Sequence, residues 1–165
     1  MKNRRTLKIT RGSVTRPANT TAYAANDAIS DVTGDAHFTY SCPGVESKFT
    51  GEIVGARLVS SVAGTTNADF TLLLFSADVA DVADNAAMTL TDDEARTFIG
   101  SISFTNGNFQ TATNNKFQQV ATNILFQGSK DSGGSGAIYG QLIADAAYTP
   151  ASGEVFNVDL MIRSD

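Results

Sequence analysis

The hydrophobic and polar positions of this chain alternate with a period of two over much of its length, and short turn clusters break the alternation at fairly even spacing. The clearest case is Glu154–Arg163, where Phe156, Val158, Leu160 and Ile162 oppose Val155, Asn157, Asp159 and Met161. Successive side chains of a strand point to opposite faces, so this pattern predicts a strand with one buried face. Phe49–Val62 alternates in the same way, setting Ile53, Gly55, Arg57 and Val59 against Val54, Ala56, Leu58 and Ser60. Asp69–Ala77 is a short apolar run of strand length, which predicts a central strand buried on both faces. Ala63–Asn67 is a turn cluster, and the two segments beside it are expected to pair as an antiparallel hairpin.

Further strands are expected at His37–Tyr40, Gly100–Thr105, Lys116–Phe126 and Ala137–Ala144, with a weaker one across Ala22–Ile29. Thr6–Thr15 alternates loosely and offers Leu7, Ile9 and Val14 as inward residues. It reads either as an edge strand or as an arm lying on another protein. Asn106-Gly107 predicts a tight turn, and Tyr148–Gly153 a turn leading into the last strand. Thr91-Asp92-Asp93-Glu94 has the form of a capping box: a hydroxyl at the N-cap and a glutamate three residues on. It predicts one short helix near 92–97, stopped by Gly100. Eight to ten short strands and one short helix define an all-β, antiparallel β-sandwich, and the size favours a jelly roll.

Composition agrees with this picture. Only 18% of the 165 residues are charged, while small residues and Asn are frequent. The chain fits one domain and is long enough to fold without a disulfide or metal, and Cys42 has no internal partner. The basic start lacks the apolar stretch of a signal peptide, and no run reaches the length of a membrane span. Synthesis in a reducing cytoplasm is therefore expected.

Charge changes the picture more. The net charge of −5 conceals a division: residues 1–16 carry Lys2, Arg4, Arg5, Lys8, Arg11 and Arg16 and no acid, giving +6, and the other six basic residues with all seventeen acids give −11. The organisation expected is a basic N-terminal arm, 1–16, ahead of an acidic β-sandwich body, 17–165. An acidic body repels nucleic acid, so only the arm could touch phosphate; docking of the arm on an acidic protein surface is favoured over a solubilising disordered tail, and both over nucleic-acid binding.

Candidate chemistry is sparse. The one histidine, His37, lies five residues before Cys42, without the surroundings of a known nucleophile–base pair. Asp78, Asp81 and Asp84 form a loop that reads as a calcium site or as a solvated acidic surface, and the EF-hand spacing is missing. Gly134, Gly136 and Gly140 lack the helix a dinucleotide fingerprint requires. No catalytic residue, metal or cofactor is expected, and the chain is read as a protein that binds and holds.

Several stretches carry a family resemblance. Phe70–Ser76 (FTLLLFS), Asp84–Asp92 (DNAAMTLTD) and Gly100–Phe104 (GSISF) resemble a pattern common in small tailed-phage virion proteins. So do Arg16–Tyr23 (RPANTTAY) and Tyr148–Glu154 (YTPASGE), and the similarity spans roughly residues 14–163. The chain resembles a phage capsid decoration (cement) protein of the jelly-roll kind. That resemblance implies a homotrimer on the outside of an icosahedral head, at or near three-fold axes, with the major capsid protein as partner. It brings no catalytic residues, nucleic acid or membrane. The capsid contacts expected from the residues themselves are Lys2, Arg4, Arg5, Lys8, Arg11 and Arg16. The competing expectation is a tail- or fibre-associated module that recognises host-surface glycans through loop tips at Lys130–Gly136 or Asn106–Asn115.

Overall fold

The computed structural model describes residues 6–31, 37–42, 49–63, 68–130 and 136–164. Ten strands run in chain order: β1 (Thr6–Thr15), β2 (Asp27–Ile29), β3 (Phe38–Cys42), β4 (Phe49–Ser60), β5 (Phe70–Phe75), β6 (Phe98–Phe104), β7 (Gln110–Thr111), β8 (Lys116–Lys130), β9 (Gly136–Ala144) and β10 (Val155–Ser164). Among the described residues one α-helix, α1 (Asp92–Ala95), precedes β6, and a single 3-10 turn, Asn106–Asn108, follows β6 where the tight turn is expected.

All the ladders are antiparallel. One sheet has the order β1-β10-β4-β8, with β7 on its end; the other places β3 and β2 beside β9, then β5, then β6. Among the eight principal strands the first pairs with the last, β3 with β9, β4 with β8, and β5 with β6. A long hairpin rolled up on itself produces this nesting, and the two resulting sheets of four define a jelly roll. The sheets join at one corner, where Ser129–Lys130 of β8 pair with Gly136–Ala137 of β9.

The core lies between the sheets and takes one face of each. Phe156, Val158, Leu160 and Ile162 of β10 are all buried in it, as the alternation predicts. From the other sheet, Phe70 meets Phe156 at a ring separation of 5.4 Å and an interplanar angle of 64°, an edge-to-face arrangement that aromatic rings prefer over a face-to-face sandwich. Gly12 lets β1 close on β3, because a Cβ there would lie 2.6 Å from the Phe38 ring.

The capping box forms as expected. Thr91 Oγ1 accepts from Glu94 N while the Glu94 carboxylate accepts from Thr91 N at 2.8 Å. Glu94 also accepts from Ala80 N, and these backbone donors, Ala80 first, hold its carboxyl below the usual range.

Three expectations are corrected. β4 and β5 are not a hairpin: the chain crosses from one sheet to the other between them, because the rolled topology pairs β4 with β8. β5 is central, between β9 and β6, but Thr71 and Leu73 on its second face are only half-buried. In β1, Val14 points inward but Leu7 and Ile9 point out. Gly12 and Val14, which oppose Val158 and Phe156 of β10, set the inward parity, and the odd positions take the solvent side.

Candidate functional site

The expected contact residues do not share one environment. Lys2, Arg4 and Arg5 lie outside the described residues. Residues 6–15 are not an arm apart from the body, since β1 pairs with β10 along its whole length as the terminal strand of its sheet. Lys8 is half-buried. Arg11 is largely exposed and reaches Asp159 at 3.9 Å.

Arg16 is a correction. Instead of a surface contact it is a buried structural cation, only 1% exposed. Its guanidinium donates to Asp84 Oδ2 at 3.1 Å, to the Ala151 carbonyl at 3.2 Å and to the Tyr23 hydroxyl. The Tyr23 hydroxyl donates in turn to Asp84 Oδ1 at 2.5 Å, and Ser30 N donates to the same oxygen. A buried charge requires such partners, because an unpaired one would cost several kcal/mol or neutralise, by order of magnitude.

A second buried carboxylate lies beside the first group. The Tyr148 ring stacks on Tyr23 at 6.2 Å, and its hydroxyl donates to Glu154 Oε2 at 2.5 Å. Ser60 Oγ and Ala151 N also donate to Glu154. Next to it, Lys116 Nζ sits 5.2 Å from the Tyr148 ring centre and 5.8 Å from that of Phe70. Burial pushes the Lys116 ammonium below its ordinary value, partly offset by Glu154. Burial pushes the phenols of Tyr23 and Tyr148 well above theirs, with Asp84 and Glu154 adding to it. This polar seam ties the start of β8, the ends of β1 and β4 and the turn before β10 into one end of the sandwich, and its role is to fix that end.

The acidic loop divides. Asp84 turns inward to Arg16, whereas Asp78 and Asp81 stay exposed and flank the His37 ring, each at 3.0 Å. The three carboxylates therefore do not converge. Among the described residues, no group of three His, Cys, Asp or Glu is placed to hold a metal ion. Cys42 belongs to β3, but its side chain lies outside what is described. Most of the Lys130–Gly136 loop does too. Around Asn106–Asn115, a polar groove is lined by Asn108, Gln110, Phe117 and Gln119. No helix among the described residues is long and apolar enough to cross a membrane.

Sequence reasoning missed the buried seam. Arg16, Asp84, Lys116 and Glu154 are far apart in the chain and carry no spacing signal; only the closure of the two sheets brings them together.

No family model matches the sequence, and no curated protein does. Among solved structures, the chain is similar to one in the structure of Triatoma virus, with 15% identity and a TM-score of 0.30. The match covers 98% of this chain and 64% of that one, so this chain spans less than two thirds of its length. The fold assignment rests on the ladders described above, which define a jelly-roll β-sandwich. Fold alone does not assign function.

Proposed function

We propose that this jelly roll is a non-enzymatic structural protein of a virus particle. It docks on the outer surface of an icosahedral phage head, as a homotrimer at or near three-fold axes, and stabilises the shell. The observation that carries this reading is the continuity of the basic N-terminal segment with β1. Six cations and no acid occupy residues 1–16 of an otherwise acidic chain, and the segment enters the sandwich as a terminal strand with Leu7, Ile9 and Arg11 on its outer side. The resemblance across residues 14–163 to phage decoration proteins supports the same reading.

The mechanism needs no chemistry. A protein that binds only the assembled shell stabilises that state by linkage. Three copies held together engage three sites at once, so modest contacts become durable through effective concentration. Lys2, Arg4, Arg5 and Arg11 supply long-range attraction that weakens as salt screens it; Arg16 has no part in it, being committed to Asp84.

The test is occupancy on purified heads lacking the protein. Removing residues 2–5 spares the β1–β10 ladder, so the variant remains folded, and occupancy at moderate salt should fall at least several-fold. Undiminished occupancy would contradict the role given to the segment. The polar groove at Asn108, Gln110, Phe117 and Gln119 is the one observation favouring the second reading, glycan recognition at the tail; selective glycan-array binding abolished by Asn108→Ala would support it.

A further inference from the structure

The outward face of the β1-β10-β4-β8 sheet is laid out in rows by the cross-strand register. One row is Leu7, Arg163, Glu52 and Leu125; the next is Ile9, Met161, Gly55 and Ala121; the third is Arg11, Asp159, Arg57 and Gln119. Paired residues of antiparallel strands project to the same side, so each row shares one surface. Among the described residues, three of the five exposed large apolar side chains belong to these rows: Leu125 at 76% exposure, Leu7 at 58% and Ile9 at 54%. Exposed apolar side chains gathered on one face and interleaved with arginines have the composition of a protein contact surface.

The floor between these side chains is kept low. A Cβ at Gly55 would lie 2.9 Å from the Val120 carbonyl, so only glycine fits there, and Ala121 lies opposite it. Leu7 and Ile9 form an apolar edge on β1 and Leu125 another on β8, with Met161, Gly55, Ala121 and the Arg163–Glu52 pair between them.

Charge says what covers it. Arg11, Arg57 and Arg163 all project from this face, while its two carboxylates are already engaged: Asp159 between Arg11 and Arg57, and Glu52 with Arg163 at 3.2 Å. Three cations against two anions leave the face positive on a molecule that is otherwise acidic. The exposed carboxylates Asp78, Asp81, Asp92 and Asp93 all lie on the β5–β6 connection of the opposite sheet, and Asp145 directly follows β9 of that sheet. Face-to-face pairing with a second copy would set guanidinium against guanidinium. Nucleic acid would leave the apolar rows without a partner.

We propose that this face is the docking surface for an acidic protein surface whose carboxylates surround an apolar contact. The inference rests on the shell-docking reading and names the face and the partner chemistry that reading requires.

The experiment compares wild type with the triple variant Leu7→Ser, Ile9→Ser, Leu125→Ser, and with a control, Asp78→Ser and Asp93→Ser, on the opposite side. Head binding, thermal midpoint and light-scattering mass are measured for each. Because the three side chains are more than half exposed, the triple variant should keep its fold and its mass. Its affinity for heads should fall at least ten-fold, with the control unchanged. Wild-type-like head binding by the triple variant would overturn this assignment and leave the shell reading standing. A smaller light-scattering mass in the triple variant would also overturn it, by making the face a contact between copies. Wild type that leaves the heads bare would contradict the shell reading itself and this assignment with it.

Discussion

The Arg16 guanidinium donates to the Asp84 carboxylate at 3.1 Å with both side chains almost wholly withdrawn from water. The pair ties the end of β1 to the loop after β5, across 68 residues of sequence. Removing one partner leaves the other charged and buried. Arg16→Ala should therefore lower unfolding stability by roughly 3 kcal/mol or more in denaturant titration. Asp84→Asn should cost a comparable amount: the amide can still accept from Tyr23, but the buried Arg16 guanidinium loses its counter-charge and cannot neutralise. Equal, negligible losses for both would show that the pair is not desolvated.

Lys116 has the opposite character. Its ammonium is buried among rings, while Glu154 keeps the Tyr148, Ser60 and Ala151 donors without it. Lys116→Met should be neutral or stabilising by about 1 kcal/mol near neutral pH. The sign with pH follows from the lowered lysine. The folded state disfavours the charged form, so the lysine's cost is present at neutral pH and fades as pH rises toward its ordinary 10.5. The advantage of the variant should shrink over the same range. A large loss of stability at neutral pH would instead make Lys116 an essential partner of Glu154.

The tyrosines act in the other direction. Burial raises the phenols of Tyr23, Tyr40 and Tyr148 above their ordinary 10.0, and nearby carboxylates add to the shift. A raised folded value gives stability that is complete below pH 10 and is lost as the unfolded chain ionises above it. The thermal midpoint should drop steeply above about pH 10, and Tyr148→Phe should make that drop shallower. A midpoint flat to pH 12 would contradict the burial of these hydroxyls.

Gly12 tests the closeness of β1 to β3. A methyl group there meets the Phe38 and Tyr40 rings, so Gly12→Ala should destabilise by roughly 1–3 kcal/mol, as overpacking does. A stabilised variant, as expected for an unconstrained strand glycine, would place β1 further from the core.

The readable parts of this fold were those governed by local rules. The alternation of β10, the run of β5 and the Thr91–Glu94 capping box each follow from side chains a few positions apart. The orientation of β1 did not, because an edge strand with Lys8, Thr10 and Gly12 facing inward reverses the usual apolar-inside pattern. Nor did the pairing of β4 with β8, which the rolled topology fixes across 56 to 79 residues of sequence, from Ser60↔Lys116 to Phe49↔Gly128. The candidate surface was half legible: the cations of residues 1–16 stand out in the sequence, but Leu125 and Arg57 join Leu7 and Arg11 only through cross-strand register. Arg16 looked like one more surface cation, and nothing in its spacing announces Asp84.

The most direct test of the central claim is an image of purified phage heads mixed with this protein, at a resolution that shows a four-stranded sheet. The account predicts jelly-roll density in many copies on the outer surface of the head, clustered about three-fold positions, with the β1-β10-β4-β8 face turned toward the shell. A head surface without such density would contradict it.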